Sequence, residues 1–154
     1  SYSSEKLFNA EASVSVTFAG LGTYQAKDWF KCPVVDLAVI KLGLDGGKLP
    51  VVVIEEKARP VIGNQVTIIG NPLGFMGVVM QGEITGYRYM EELAGPVIEI
   101  KAHIHPGNSG SPVFDEEGQV IAVIFASLES EDEEGRRGLA VPVSYLSILR
   151  CDTR

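Results

Sequence analysis

Basic residues are the scarce charge: 13 Lys and Arg against 20 Asp and Glu give 13 − 20 = −7 at neutral pH. That deficit argues against a nucleic-acid binder, whose footprint is a basic face that attracts phosphate. It equally disfavours docking on anionic lipid. No apolar run reaches the roughly 20 residues that a membrane helix needs. The start, Ser1-Tyr2-Ser3-Ser4-Glu5-Lys6, lacks the layout of a signal peptide. Cysteine occurs only at Cys32 and Cys151, a separation that suits neither a zinc site nor a disulfide framework, so no metal is expected. Histidine occurs only at His103 and His105.

What is abundant is turn chemistry. Among 154 residues there are 17 Gly and 8 Pro, and these punctuate short apolar runs in the manner of an all-β sandwich or barrel. Val14, Val16 and Phe18 alternate with Ser15 and Thr17, which predicts a half-buried strand. Residues 23–30 and 37–42 are further strands. The stretch 43–60 carries Gly46-Gly47, Pro50 and Pro60 and reads as a connector between two halves. Beyond it, strands are expected at 65–69, 78–84, 97–101, 112–114, 120–125 and 138–141. A terminal helical turn is expected after Ser144, a candidate N-cap. The dense charges from Glu129 to Arg137 predict a solvated hairpin tip.

Candidate chemistry concentrates in His103-Ile104-His105-Pro106-Gly107-Asn108-Ser109-Gly110-Ser111-Pro112. Glycines around a serine let the backbone bend so that the hydroxyl projects while nearby N–H groups converge. A nucleophile elbow between strand and helix requires Gly-x-Ser-x-Gly, but position 111 is serine and Pro112 opens another β-type run. A serine on a tight loop between barrel strands and a plain polar turn both remain open on these residues alone.

The segment from Gly107 to Pro112, followed by Val120-Ile121-Ala122-Val123-Ile124, resembles the active-serine region of trypsin-like serine endopeptidases, nearest their HtrA-like and V8-like branches. Asp36-Leu37-Ala38-Val39-Ile40-Lys41 resembles their triad-aspartate segment. Gly63-Asn64-Gln65-Val66 through Asn71-Pro72-Leu73-Gly74 is similar to the start of their second barrel, and Gly138-Leu139-Ala140-Val141-Pro142 to the stretch before their C-terminal helix. The resemblance implies one trypsin-like double-barrel domain over 1–154. Its divisions would be a partial first barrel (1–45), a connector (46–62), a complete second barrel (63–142) and a C-terminal helix and tail (143–154).

It further implies Ser109 as nucleophile, Asp36 as the carboxylate orienting an imidazole, and the N–H groups of Gly107 and Ser109 as the oxyanion hole. Ile124, Phe125, Ala126 and Ser127 would pair with an extended peptide substrate, and His103, Ile104 and His105 would line the wall of the specificity pocket. The pocket neighbours favour uncharged substrate side chains, and no cofactor is implied. The catalytic histidine of the family has no counterpart before Asp36; its place falls near Lys6. The expectation is therefore that the first strands and the base come from elsewhere: a segment removed from a longer precursor, a companion chain or a strand-swapped copy. The alternative is an inactive homologue that binds peptides or regulates; a purely structural β domain ranks last.

Overall fold

A computed structural model describes residues 13–129 and 136–148. The N-terminal unit is a three-stranded antiparallel sheet in the order β1 (Ser15–Phe18), β2 (Gly22–Lys31), β3 (Ala38–Leu42). Alternation turns Val16 and Phe18 to one face, and Phe18 meets Tyr24 edge-on with ring centroids 6.0 Å apart. An extended connector then lies against the barrel: Val120 donates to the Val53 carbonyl at 2.8 Å, Glu55 donates to the Val120 carbonyl at 3.0 Å, the Tyr87 hydroxyl donates to the Pro60 carbonyl, and Ala58 packs on the barrel interior.

The second unit is a closed six-stranded barrel of β4 (Gln65–Gly70), β5 (Val78–Arg88), β6 (Val97–Lys101), β7 (Pro112–Phe114), β8 (Val120–Leu128) and β9 (Arg137–Pro142). Its order is β4-β5-β6-β9-β8-β7, with β7 returning to β4 through Thr67 opposite Phe114 and Ile68 opposite Val113. Closure gives every strand two neighbours along at least part of its length, and inward positions pack into one apolar interior that includes Val66, Ile68, Ile84, Ile98, Ile100 and Ile124. The short helix α1 (Tyr145–Ile148) follows the barrel. Among the described residues, the nine strands fall where the apolar runs place them, with two extensions. The pattern predicts ends at 84 and 125, whereas β5 runs on to Arg88 and β8 to Leu128. In each case the register shifts at that point, between Ile84 and Gly86 and between Ile124 and Ala126. A bulge inserts one residue and resets the inside–outside alternation, so periodicity cannot be followed through it.

A second apolar cluster joins the two units. Cys32, Val35, Val141 and Tyr145 are buried together, with Val34, Leu37, Phe125 and Leu146 packed against them. Ala94 also donates to the Val34 carbonyl at 3.1 Å. Cys32 is disulfide-bonded, which corrects the expectation from sequence spacing; Cys151 lies outside the described residues. Bridging depends on Cβ proximity in the fold, to which separation along the chain is blind.

One charge is built into the barrel wall. Glu99 on β6 is buried and accepts from Arg88 Nη2 at 2.5 Å, from Arg137 Nη1 at 2.6 Å and from the Thr85 hydroxyl at 3.2 Å. Burial raises its pKa, but the hydrogen bonds from Arg137 and Arg88 outweigh burial and hold the carboxyl below its ordinary 4.5. A depressed carboxyl pKa contributes stability that is present above 4.5 and is lost as pH falls through the folded-state value. Glu99→Gln should therefore lower stability at pH 7 by about 1–3 kcal/mol and flatten the acid-side loss below the ordinary carboxyl range. Urea unfolding of both proteins across an acid-to-neutral pH series checks both effects.

Candidate active site

The segment between β6 and β7 folds as two consecutive turns sharing Asn108. In the first, the Asn108 N–H donates to the His105 carbonyl at 3.1 Å, with Pro106 and Gly107 at the centre and Gly107 at φ 98°. In the second, the Ser111 N–H donates to the Asn108 carbonyl at 2.9 Å, with Ser109 and Gly110 at the centre and Gly110 at φ 89°. Positive φ at only the second central residue defines type II turns, which explains a glycine at 107 and again at 110 and a proline at 106. Ser109 is thereby carried at an exposed apex. The far end of the pair is pinned to β8: Gly110 donates to the Ile124 carbonyl at 2.7 Å and Ile124 donates back to the Ser111 carbonyl at 2.9 Å.

The same geometry frees two donors. The Pro106 carbonyl accepts from the Leu73 N–H at 3.3 Å, and in a trans peptide the Gly107 N–H points the opposite way. Among the described residues neither the Gly107 N–H nor the Ser109 N–H has a protein acceptor. Two unpaired N–H groups beside an exposed hydroxyl can take up a carbonyl oxygen and stabilise charge developing on it. The Ser109 hydroxyl donates to the Phe125 carbonyl at 3.3 Å.

Beneath the turns lies Asn108, fully buried, its Nδ2 directed at Met80 Sδ at 3.6 Å and its Oδ1 without a hydrogen-bond partner among the described residues. Gly70 makes room for it: a Cβ there would lie 2.6 Å from Asn108 Oδ1 and collide with Ser111 Oγ. Arg136 donates from Nη1 to His105 Nδ1 at 2.5 Å, tying the end of the charged hairpin to the first turn. Neither Asn108 as an anchor nor Arg136 carries an individual signal in the sequence, because both act through contacts formed only on folding.

The structure divides the residues expected to line one pocket wall. His103 points outward beside Gln81, Glu83, Lys101 and Arg136. Ile104 is 1% exposed and belongs to the barrel interior, where it fills the space that a Cβ at Gly138 would need. Strand-like alternation sends these neighbours to opposite faces, so Ile104 has no surface for a substrate, and His103 faces a different depression. His105 stays with the turn. Ile124 is also an interior residue, and both its backbone groups are committed to the turn.

Beyond Ile124, β8 loses its partner on one side: β7 pairs with β8 only as far as Val123, while Ala126, Ser127 and Leu128 pair with β9 alone. One edge of β8 is therefore open from Phe125 onward, next to Ser109. Asp36 is exposed on the bend before β3, and its carboxylate makes no hydrogen bond among the described residues, to Ser109 or to either histidine. It is brought near indirectly, since its neighbours Val35 and Leu37 share the apolar cluster with Phe125. Lys6 lies outside the described residues.

A closed antiparallel barrel beside a second antiparallel sheet, with a turn-borne serine at the open edge of a barrel strand, is the architecture of the trypsin-like serine proteases. The chain belongs to that family: the trypsin-like peptidase domain matches residues 4–123. Its similarities place it in the HtrA-like branch. It is 38% identical over 100 residues to protease Do-like 2, chloroplastic, of Arabidopsis thaliana, covering 60% of this chain and 16% of that protein. It is 30% identical over 121 residues to a serine protease HtrA-like of Staphylococcus aureus, covering 71% of this chain and 16% of that one. The chain thus spans 16% of the length of these relatives.

Among solved structures it superposes on the HtrA-type protease AlgW with decapeptide at TM-score 0.71 and 27% identity, over 90% of this chain and 43% of that one. The inactive form of the Rv3671c protease matches at TM-score 0.70 and 23% identity, over 89% and 70%, and shares the fold.

The glycine of the first turn differs measurably from an ordinary loop glycine. Gly118→Ala meets nothing within 4 Å and bears only the strain of φ 76°, whereas Gly107→Ala adds a Cβ 3.0 Å from the Asn71 carbonyl oxygen at φ 98°. Gly107→Ala should destabilise by at least about 1 kcal/mol more than Gly118→Ala, measured by urea denaturation.

Proposed function

We propose that this chain carries the nucleophile-bearing portion of a serine endopeptidase, hydrolysing peptide bonds through an acyl-enzyme at Ser109. The observation that carries this reading is the pair of type II turns, which presents the Ser109 hydroxyl beside two uncommitted N–H groups. In that reaction Ser109 Oγ bonds to the scissile carbonyl carbon and its proton passes to a base. The N–H groups of Gly107 and Ser109 receive the oxyanion. The base returns the proton to the departing amine, and water then attacks the ester to release the acid and restore the serine.

The substrate class would be an extended peptide, held by strand addition to the open edge of β8 at Phe125, Ala126 and Ser127. The peptide-bound AlgW structure supports that reading as a relative of the same branch. Phe125 and Ala126, uncharged residues on that edge, support uncharged side chains at the residue whose carbonyl is attacked. The division into a first-barrel segment (1–45), a connector (46–62), a second barrel (63–142) and a tail (143–154) belongs to this proposal.

The base in this mechanism is an imidazole from outside these 154 residues, supplied by a segment of a longer precursor or by a companion chain. Two observations motivate it: no histidine precedes Asp36, and the Nδ1 of His105 is engaged by Arg136. Asp36, exposed and unpaired among the described residues, would orient that imidazole. The same unpaired Asp36 is what favours a second reading, a homologue without hydrolytic activity that retains the peptide groove.

A fluorophosphonate probe separates the two. Labelling of Ser109 that disappears in Ser109→Ala supports the endopeptidase; peptide binding without labelling supports the binding module; neither labelling nor binding sinks both. Where hydrolysis is measurable, Ser109→Ala should reduce kcat by roughly 10⁴-fold or more. Native mass spectrometry tests the source of the base, and a monomer that melts cooperatively would remove the companion strand from the mechanism.

A further inference from the structure

The Asn108 side chain is held by a residue from a different strand. The side chain is fully buried, and among the described residues its Oδ1 has no partner. Its hydrogen bond runs from Nδ2 to Met80 Sδ at 3.6 Å. A thioether only accepts, so the amide is oriented with Nδ2 toward the sulfur and Oδ1 over Gly70.

The pleat delivers that sulfur. Along β5, Met80 and Ile84 take inward positions, while Val79, Gln81 and Glu83 between them are exposed. Met80 lies opposite Ile68 on β4 and packs against the barrel interior, and its long unbranched chain reaches the amide beneath the serine turns. An apolar residue of equal volume would fill the same space, yet it would leave a buried amide N–H unpaired. The position thus asks for an acceptor as well as for bulk.

Asn108 is where the two turns meet. Its N–H donates to the His105 carbonyl and closes the first turn, and its carbonyl accepts from the Ser111 N–H and closes the second. The Ser109 N–H shares a planar peptide with the Asn108 carbonyl and points the opposite way, and the Gly107 N–H lies one residue before Asn108. A rotation of Asn108 therefore changes the angle between those two donors.

We propose that Met80 is a positioning residue for the oxyanion hole: its sulfur orients the buried Asn108 amide, and Asn108 sets the angle between the Gly107 and Ser109 N–H groups. This rests on the reading of those two donors as the place where the oxyanion is received.

Packing and hydrogen bonding predict opposite outcomes at this position. Met80→Leu keeps the volume and removes the acceptor, whereas Met80→Gln keeps an unbranched chain and supplies a carbonyl acceptor. In amide relaxation-dispersion NMR of the full chain, Met80→Leu should add μs–ms exchange at Gly107, Asn108 and Ser109, and Met80→Gln should not. Fluorophosphonate labelling of Ser109 should slow about tenfold in Met80→Leu and return to within about twofold of the parent in Met80→Gln. Met90→Leu controls for the loss of a sulfur as such and should change neither. If Met80→Leu does not fold, norleucine in place of methionine, which exchanges each sulfur for a methylene of the same shape, is read in the same way. A silent Met80→Leu, or equal impairment in both variants, makes Met80 a packing residue and overturns the proposal while leaving the oxyanion hole standing. Exchange at the turns without slower labelling also overturns it. If the parent chain itself is not labelled, the nucleophile reading fails and takes this proposal with it.

Discussion

The site depends on a backbone constraint: two type II turns in succession, each possible only because its second central residue is glycine. A turn alone would be loose. Here both flanks are fixed, one by the Leu73 N–H on the Pro106 carbonyl and the other by reciprocal bonds between Ile124 and the Gly110–Ser111 segment. Because those bonds satisfy the inward-facing groups, the Gly107 and Ser109 N–H groups are left to face solvent. In the proposed reaction, the capacity to receive an oxyanion follows from which polar groups the fold leaves unpaired.

The barrel is what makes the pinning stiff. Ile124 can hold the turns because its side chain is locked in the barrel interior, and the ring around it closes through β4 and β7. The three-stranded sheet differs: its apolar positions are mostly half-exposed, and Leu21 and Ile40 are open to solvent. Packing density and precision go together, since a side chain in a dense interior has no alternative rotamer to move into. Ser109 accordingly sits on the barrel, and the exposed Asp36 sits beside the open sheet.

Most of the strand order is legible because alternating apolar residues and turn residues encode it locally. Legibility ends at 84 and 125, where bulges add a residue and the alternation changes phase. The serine turn is legible too, since Pro106, Gly107 and Gly110 are demanded by turn type and not by distant contacts. His103 and Ile104 escape such a reading because a resemblance assigns a segment to a wall, whereas the pleat assigns each side chain to a face. Cys32, Asn108 and Arg136 are opaque for a further reason: a disulfide, a buried amide over a glycine and a guanidinium on an imidazole all join residues far apart in the chain.

Phe125 is the residue at which Ser109, the Asp36 bend and the open edge of β8 converge. Its carbonyl receives the Ser109 hydroxyl, its side chain belongs to the cluster that holds Val35 and Leu37 on either side of Asp36, and its position begins the open edge of β8. A bulge there frees the carbonyl from the β9 ladder while the ring stays packed toward the other sheet. That single irregularity couples Ser109, the bend bearing Asp36 and the open edge of β8. A regular strand could not do so, because strict alternation would spend the carbonyl on pairing and turn the ring to one face only. The loss of periodicity that hides the end of β8 in the sequence is therefore the local distortion by which the barrel reaches across to the sheet carrying Asp36.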